Sequence, residues 1–546
     1  MYKDMNKIFL IGSVIFLFMA CTPYSYIIEN GTVYDGSGSP GVQTDIGIKR
    51  DKVAKIGNLD SKKAKQRIDA TGMAVSPGFV NNLSWAAYPF QLDGRSLSDL
   101  KQGVTLEVFG EGSSLGPYNA KDAKNGPLSF YDNMKALEEK GVSCNFASYV
   151  GATTIRINQL GYEDRAPNAE ELQKMQELVK ESMEGGALGV GSSLIYPPAF
   201  FASTEELIAL SKEAGKYGGR YISHMRSEGN KIEEAVNELI KISKEGNLPA
   251  EIFHLKAAGE NNWKKLDGIL AKIDSANAVG LDIKANMYNY TGASTGLDAC
   301  LPPWAQDGGK EKFLERLANP ETRKKIISEM ESDETDWENF LSLSGKPENI
   351  LLLEFNQDSL NYLIGKNVGD VARIYGMSPA ETIVELILGN HGDIGCAYFL
   401  MTEENVKKQI KLPYITFCSD ARSIAAEGKN LESMTHPRTY GNFARLLGKY
   451  VREEKVIPLE EAIYKLSWLS AQRIGVKQRG KLEKGFFADV VIFNPNTIID
   501  KATFEKPHQY AEGVIHVLVN GVPVIENGAH TGKTPGKFVK GPGFKQ

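Results

Sequence analysis

The segment 221–256 reads YISHMRSEGN at 221–230, a helical run, and then EIFHLK at 251–256. Ile222 sits just before His224, and Ile252 and Phe253 precede His254, so each histidine is expected at the end of a short strand. Between them, Asn230 and Glu233 have the spacing of a helix capping box. Ile232, Val236, Leu239 and Ile240 follow at helical spacing, and Gly246 and Pro249 close the helix. This is a strand–helix–strand unit with a histidine at the same end of each strand. Adjacent parallel strands point the same way, so both imidazoles can meet above the carboxyl edge, where parallel sheets and barrels place their chemistry. With only seven histidines in the chain, such a pair is either a shared metal site or two hydrogen-bonded imidazoles.

Outward from that unit the strand–helix alternation continues. VTLEVFGEG, CNFASYV, GLDIKANMYNY and the segment from Tyr414 to Cys418 read as strands. Ser203–Gly219, Trp263–Ala276, Glu381–Gly389 and Pro458–Ile474 read as helices, the first with Ser203 and Glu206 as a capping box. Alternation over some 400 residues predicts an α/β fold, a (β/α)8 TIM-like barrel over 76–480. Residues from about 297 to 349 interrupt the rhythm with a charged helical pattern and suggest an inserted subdomain at a strand end. Short alternating segments at 22–75 and 481–530 suggest one small β domain built from both termini. The Gly/Pro-rich, lysine-bearing stretch 531–546 reads as a flexible tail.

The chain has 546 residues, 42% hydrophobic and 24% charged, with a net charge of −5, which gives no reason to invoke nucleic acid. Lys3 and Lys7 precede an apolar run from Ile8 to Met19, too short to span a bilayer as a mature helix, and then Ala20-Cys21. Residues 1–21 therefore read as a signal peptide ending in a lipobox, although Phe18 departs from the usual leucine. The expected location is the bacterial cell envelope, with a lipid anchor at Cys21 as the only membrane contact. Cys144, Cys300, Cys396 and Cys418 show no metal-knuckle spacing.

A metal needs a further ligand beyond two imidazoles. In VTLEVFGEG, a period of two puts Glu107, Phe109 and Glu111 on one face, with Glu111 nearest the strand end beside Gly112. Asp420 follows the ITFC strand in the same way. Arg226 and Glu228 read as supports of the His224 loop.

Taken together, these residues resemble a known family. IIENGTVYDGSGSPG, IDATGMAVSPGF and GKLEKGFFADVVIFNP look like the amidohydrolase superfamily. QGVTLEVFGEGSSLGP, GALGVGSSLIYPPAFFASTEEL, YISHMRSEGN, FHLKAAGENNW and THPRTYGNFARLLGKY resemble its D-aminoacylase branch, the N-acyl-D-amino-acid deacylases, over nearly all of the chain. The resemblance implies a zinc-bearing (β/α)8 barrel with a β-sandwich from both termini and an inserted domain. It implies metal ligation by His224, His254 and Glu111, the last where the family carries cysteine. A carboxylate is a harder ligand than a thiolate, so zinc is expected first but other divalent metals are admitted. The family's HxH pair falls on Leu83 and Trp85, neither of them a ligand, so one divalent metal is expected rather than two. Asp420 matches the catalytic base and acid, and Arg438 the residue that holds the substrate carboxylate. Lys256, Tyr196, Tyr288 and Ser294 match further substrate-binding positions. The implied activity is metal-dependent hydrolysis that removes the acyl group from small N-acyl amino acids of the D series. The alternatives are an amidohydrolase acting on another amide, a cyclic amide or a dipeptide, and a degenerate envelope-anchored binding protein.

Overall fold

The computed structural model describes residues 23–545 other than 122, 124, 125, 127, 333 and 334. The expected lipobox at Cys21 lies outside the described residues. Among them, no helix is long and apolar enough to cross a membrane.

Eight parallel strands follow one another around a common axis: β1 (Phe79–Asn81), β2 (Val104–Phe109), β3 (the pieces Asn145–Ser148 and Val150–Gly151), β4 (Gly189–Ser193), β5 (Arg220–His224), β6 (Ala250–Ile252), β7 (Ile283–Met287) and β8 (Ile415–Phe417). One ladder joins β1 to β3 and a second joins β3 to β8. No ladder closes β8 onto β1 among the described residues. A main-chain bond from Asn82 N to Phe417 O (3.3 Å) spans that join, helped by Asn82 Nδ2 to Thr416 Oγ1 (2.7 Å) and Asn81 Nδ2 to Ser419 Oγ (2.7 Å). The architecture is TIM-barrel-like.

The two-residue period of β5 explains how His224 reaches the centre. Ile222 packs inward with Val80, Leu106, Val108 and Phe253. Tyr221 instead joins the outer layer formed with the surrounding helices. His224, on the same face as Ile222, therefore emerges at the mouth. The helix that follows, Ile232–Gly246, buries Ile232, Val236, Leu239 and Ile242 against the barrel. It carries no capping box: its N-cap is Lys231, and Asn230 Oδ1 instead accepts from Asn262 Nδ2 (3.0 Å). At Ser203 the hydroxyl caps Glu206 N as expected, but the Glu206 carboxylate is taken by Arg156 in a buried ion pair (2.6 Å).

Two further expectations on strands need correction. β6 ends at Ile252, and His254 lies two residues beyond it with φ +36°. Its backbone N–H bonds the Asn286 side chain (2.7 Å) rather than a strand, and this departure from the ladder aims the ring inward. Glu107 and Glu111 also do not share a face. The strand stops at Phe109, and Gly110 (φ +102°) reverses the alternation. A Cβ at Gly110 would lie 2.4 Å from Tyr149 O, so only glycine makes this turn. Glu107 stays on the outer face, bonded to Asn81 Nδ2 (2.9 Å) and facing Asp99. Burial, then the Asp99 charge, raises the Glu107 pKa well above the carboxylate range; burial raises that of Asp99 to about 6. A folded pKa above the unfolded one gives stability that is full below about pH 4 and is lost as pH rises through 6 and beyond. Glu107→Gln is therefore expected to stand nearest wild type at about pH 4 and to melt higher at pH 8, by roughly 1 kcal/mol or more, a difference that thermal denaturation at the two pH values checks.

The inserted subdomain is larger than 297–349. The chain leaves the barrel after β7 and builds a three-stranded antiparallel sheet from Gly292–Gly296, Ile350–Glu354 and Gly395–Phe399. This sheet and the helices Lys310–Ala318, Pro320–Met330, Val368–Tyr375 and Pro379–Gly389 share their own core. The last two helices have the same periodicity as barrel helices, and only their packing on the strand Ile350–Glu354 and the helices Lys310–Ala318 and Pro320–Met330 assigns them to the insertion.

The strands outside both the barrel and the insertion form two sheets among the described residues. Tyr24–Glu29, Ile46–Lys49, Lys52–Ile56 and Ala64–Asp69 make one. In the other, Ala74–Pro77 from the amino-terminal part pairs antiparallel with Val490–Phe493 from the carboxyl-terminal part. Ile28, Ile46, Val75, Val490 and Leu518 fill the space between them. The described part of the stretch expected as a flexible tail over 531–546, residues 531–545, is bound to the barrel. Lys537 O and Val539 N bond the backbone of Phe146 (3.0 and 2.7 Å), and the Phe538 ring stacks on Phe146 at 5.9 Å. Its glycines serve close backbone approach: a Cβ on Gly536 would lie 1.9 Å from Cys144 O.

Candidate metal centre

Glu111, His224 and His254 come together at the carboxyl ends of β2, β5 and β6. Glu111 Oε1 lies 3.0 Å from His224 Nδ1 and 3.0 Å from His254 Nε2. A tetrahedral ion at ~2.0–2.1 Å from such ligands sets neighbouring donor atoms roughly 3.3 Å apart, so the two Glu111–histidine separations are close to those a shared metal requires. All three residues are buried, and their ligand atoms lie within 4.8 Å of one another. Burial would raise the Glu111 carboxyl, but the hydrogen bonds and charges of His224 and His254 outweigh it and hold the group well below its usual range. The cluster is built to keep a carboxylate anionic beside two nitrogen donors.

Behind the histidines stands Glu228. Its carboxylate lies 2.9 Å from His254 Nδ1 and 3.6 Å from His224 Nε2, and Lys256 Nζ donates to it (2.6 Å). Burial opposes its charge, yet Lys256 and the two histidines hold the Glu228 carboxyl well below the usual range. A carboxylate on the far nitrogen of an imidazole orients the ring and raises its basicity as a ligand. Glu228 is thus more than the loop support expected from sequence; its i,i+4 spacing from His224 was the available signal.

Asp420 follows β8 and has φ +48°, in the left-handed region that costs a non-glycine residue energy. Two main-chain bonds, Asp420 N to Leu83 O (3.0 Å) and Trp85 N to Ala421 O (2.9 Å), tie its loop to the turn after β1. Trp85 Nε1 donates to Asp420 Oδ1 (3.0 Å). Arg438, the first residue of the helix Arg438–Arg445, places Nη1 2.7 Å from Asp420 Oδ2. That approach is close but poorly directed: neither Nη1 nor Nε of Arg438 makes a hydrogen bond, although both are buried. The guanidinium lies over the Tyr288 ring at 4.5 Å.

An inner cavity of about 340 Å3 is bordered by Glu111, His224, His254, Lys256, Tyr196, Tyr288, Ser294 and Asp420. Arg438 borders a second, outer cleft of about 700 Å3 that shares Trp85, Ser294, Thr295 and Asp420 with the inner one. The polar groups differ in what they can offer. The Tyr288 hydroxyl is buried without a partner. Burial, mainly, pushes the pKa of Tyr288 and of Tyr196 well up, so both are neutral donors. The Tyr196 hydroxyl bonds Thr295 Oγ1 (2.7 Å). Ser294 gives its hydroxyl proton to Cys396 O (2.8 Å), which leaves it an acceptor to any ligand. Ser193 Oγ, which lies in GALGVGSSLIYPP but has no role implied by the resemblance, is another buried and unpartnered polar atom on the inner cavity.

The Amidohydrolase family model matches residues 432–525. A D-aminoacylase of Alcaligenes xylosoxydans xylosoxydans is 31% identical over 531 residues, covering 95% of this chain and 98% of that protein. The chain belongs to the D-aminoacylase branch of the amidohydrolases. A crystal structure of a D-aminoacylase superposes with a TM-score of 0.78 at 30% identity, covering 95% of this chain and all of that one. The N-acyl-D-glutamate deacylase of Bordetella bronchiseptica, solved with zinc and a phosphonate mimic of the tetrahedral intermediate, superposes with a TM-score of 0.79 at 27% identity and the same coverage. In this member of the amidohydrolase branch the barrel's carboxyl edge holds the buried Glu111–His224–His254 cluster, and Leu83 and Trp85 beside it contribute no ligand atoms.

Proposed function

We propose that the protein is a metal-dependent hydrolase that removes the acyl group from N-acyl-D-amino acids. The observation that carries this reading is the pair of buried donors without protein partners, Arg438 Nε and the Tyr288 hydroxyl, beside the Glu111–His224–His254 cluster and Asp420. Unpaired buried donors are costly unless a ligand satisfies them. A guanidinium and a phenol together suit a carboxylate.

In this reading Glu111, His224 and His254 hold one divalent metal, with zinc the first choice. Such an ion supplies Lewis acidity to the scissile carbonyl and makes water more acidic. Arg438 and Tyr288 bind the substrate carboxylate and so fix the amide relative to the metal cluster. Asp420 accepts a proton from the attacking water as its oxygen bonds the carbonyl carbon. It then returns that proton to the amide nitrogen as the C–N bond breaks, leaving a carboxylic acid and an amine. Lys256 keeps Glu228 ionised, and Glu228 holds the His254 ring. The chain from 76 to 480 would then be one (β/α)8 catalytic unit, with the two-sheet domain from both termini as its scaffold. The amino-terminal signal and Cys21 would place it on the bacterial cell envelope, a reading that rests on sequence alone.

The test is a panel of N-acyl-D- and N-acyl-L-amino acids with metal-loaded protein, repeated with Arg438→Ala. Release of D-amino acids is expected, with kcat/KM lowered ~10–100-fold by the substitution, the range for losing a charged hydrogen bond. No turnover across the panel would sink the reading. Equal turnover of neutral amides, unaffected by Arg438→Ala, would instead favour an amidohydrolase for a substrate without the carboxylate.

A further inference from the structure

The indole of Trp85 has one polar atom, a donor, and no lone pair to give a metal. That atom makes the single hydrogen bond to the Asp420 carboxylate found among the described residues (3.0 Å to Oδ1). The other carboxylate oxygen faces Arg438 Nη1 at 2.7 Å, a contact that attracts but does not direct, since its geometry is not that of a hydrogen bond. The backbones are registered to match. Asp420 N bonds Leu83 O, Trp85 N bonds Ala421 O, and Ser84 N bonds Val108 O (2.8 Å), so the turn after β1 is fixed both to the Asp420 loop and to the end of β2. The Trp85 side chain itself is partly exposed and borders both the inner cavity and the outer cleft. It is therefore not a core residue retained for packing. Its polar atom is spent on one acceptor, at the point where the two cavities meet.

The geometry points to Trp85 as a positioning residue for Asp420: its N–H fixes one carboxylate oxygen so that the other lone pairs stay aimed into the inner cavity. This rests on the reading of Asp420 as the base and acid of the reaction. An arginine alone would leave the carboxylate free to swing about Cβ–Cγ toward the substrate-binding guanidinium. When a substrate carboxylate draws Arg438 away, the indole bond is what keeps Asp420 in place. Trp85 thus acts during turnover, and its loss falls on kcat rather than on substrate affinity.

Trp85→Phe keeps an aromatic ring and removes the donor. With rates normalised to bound metal, kcat is expected to fall ~10–100-fold, while KM stays within about threefold. Trp85→Phe placed on Asp420→Asn is expected to have little further effect, because the two residues act through one group. Trp85→Leu, which removes ring and donor, is expected to resemble Trp85→Phe in kcat. Wild-type kcat in Trp85→Phe, with Asp420→Asn impaired, overturns the proposal and leaves the base assignment standing. An equal fold-loss from Trp85→Phe in both backgrounds overturns it as well, since the residues would then act independently. Wild-type kcat in Asp420→Asn overturns the base assignment itself, a result separable from the other two.

Discussion

Alanine at His254 is expected to strip the protein of its metal and to lower turnover by ~10^3-fold or more, the several kcal/mol that a catalytic ion supplies. The argument starts from the geometry. His254 Nε2 and His224 Nδ1 both lie 3.0 Å from one carboxylate oxygen of Glu111. Removing His254 leaves two ligands, too few for a tight catalytic site. It also leaves Lys256 and Glu228 paired with each other (2.6 Å), so the buried charges behind the site remain balanced and the fold is expected to survive. Metal per chain, measured by elemental analysis, should fall from near one to near zero while the circular dichroism spectrum is unchanged. Full metal retention by His254→Ala would show that the ligand set lies elsewhere.

Asp420→Asn is expected to behave in the opposite way. Metal content should stay at wild type and kcat should fall by ~10^2–10^4-fold, the range for loss of a general acid–base group. The amide keeps the shape of the carboxylate and can still accept from Trp85 Nε1, so the loop and its left-handed residue need not move. It cannot take a proton from water. Its loss of charge also frees Arg438, which in the intact protein faces Asp420 Oδ2, so KM is expected to hold or to fall. The measurement is steady-state kinetics on metal-quantified protein. A fall in kcat that tracks metal loss would mean that Asp420 holds the ion rather than moves a proton. Together the two substitutions separate binding of the ion from transfer of the proton.

What could be read from the chain alone was set by local periodicity and by chemically rare residues. The apolar residues before His224 and His254 put each histidine at the end of a strand, and the scarcity of histidine made them a pair worth explaining. Repeated strand–helix alternation carried the barrel-like architecture for the same reason: each element's buried face is written at its own spacing. What local spacing could not carry was any feature decided by backbone reversal or by distant partners. Gly110 turns Glu111 into the cavity and leaves Glu107 outside it. The helices 368–375 and 379–389 have barrel-like patterns but pack on the insertion. The glycines of 531–546 look like flexibility in sequence and act as close contacts in space, because a missing Cβ means either freedom or proximity and only the neighbour decides which.

The opening strand–helix–strand unit therefore supplied two metal-ligand candidates by itself, because each histidine follows a strand that its own neighbours define. The family resemblance named Glu111 as their third partner; tertiary structure alone put Glu228 and Lys256 behind them and set Trp85 against Asp420. Those contacts link residues up to 335 positions apart, and no local pattern constrains such a distance. Only the gathering of eight strands around one axis brings them within a hydrogen bond.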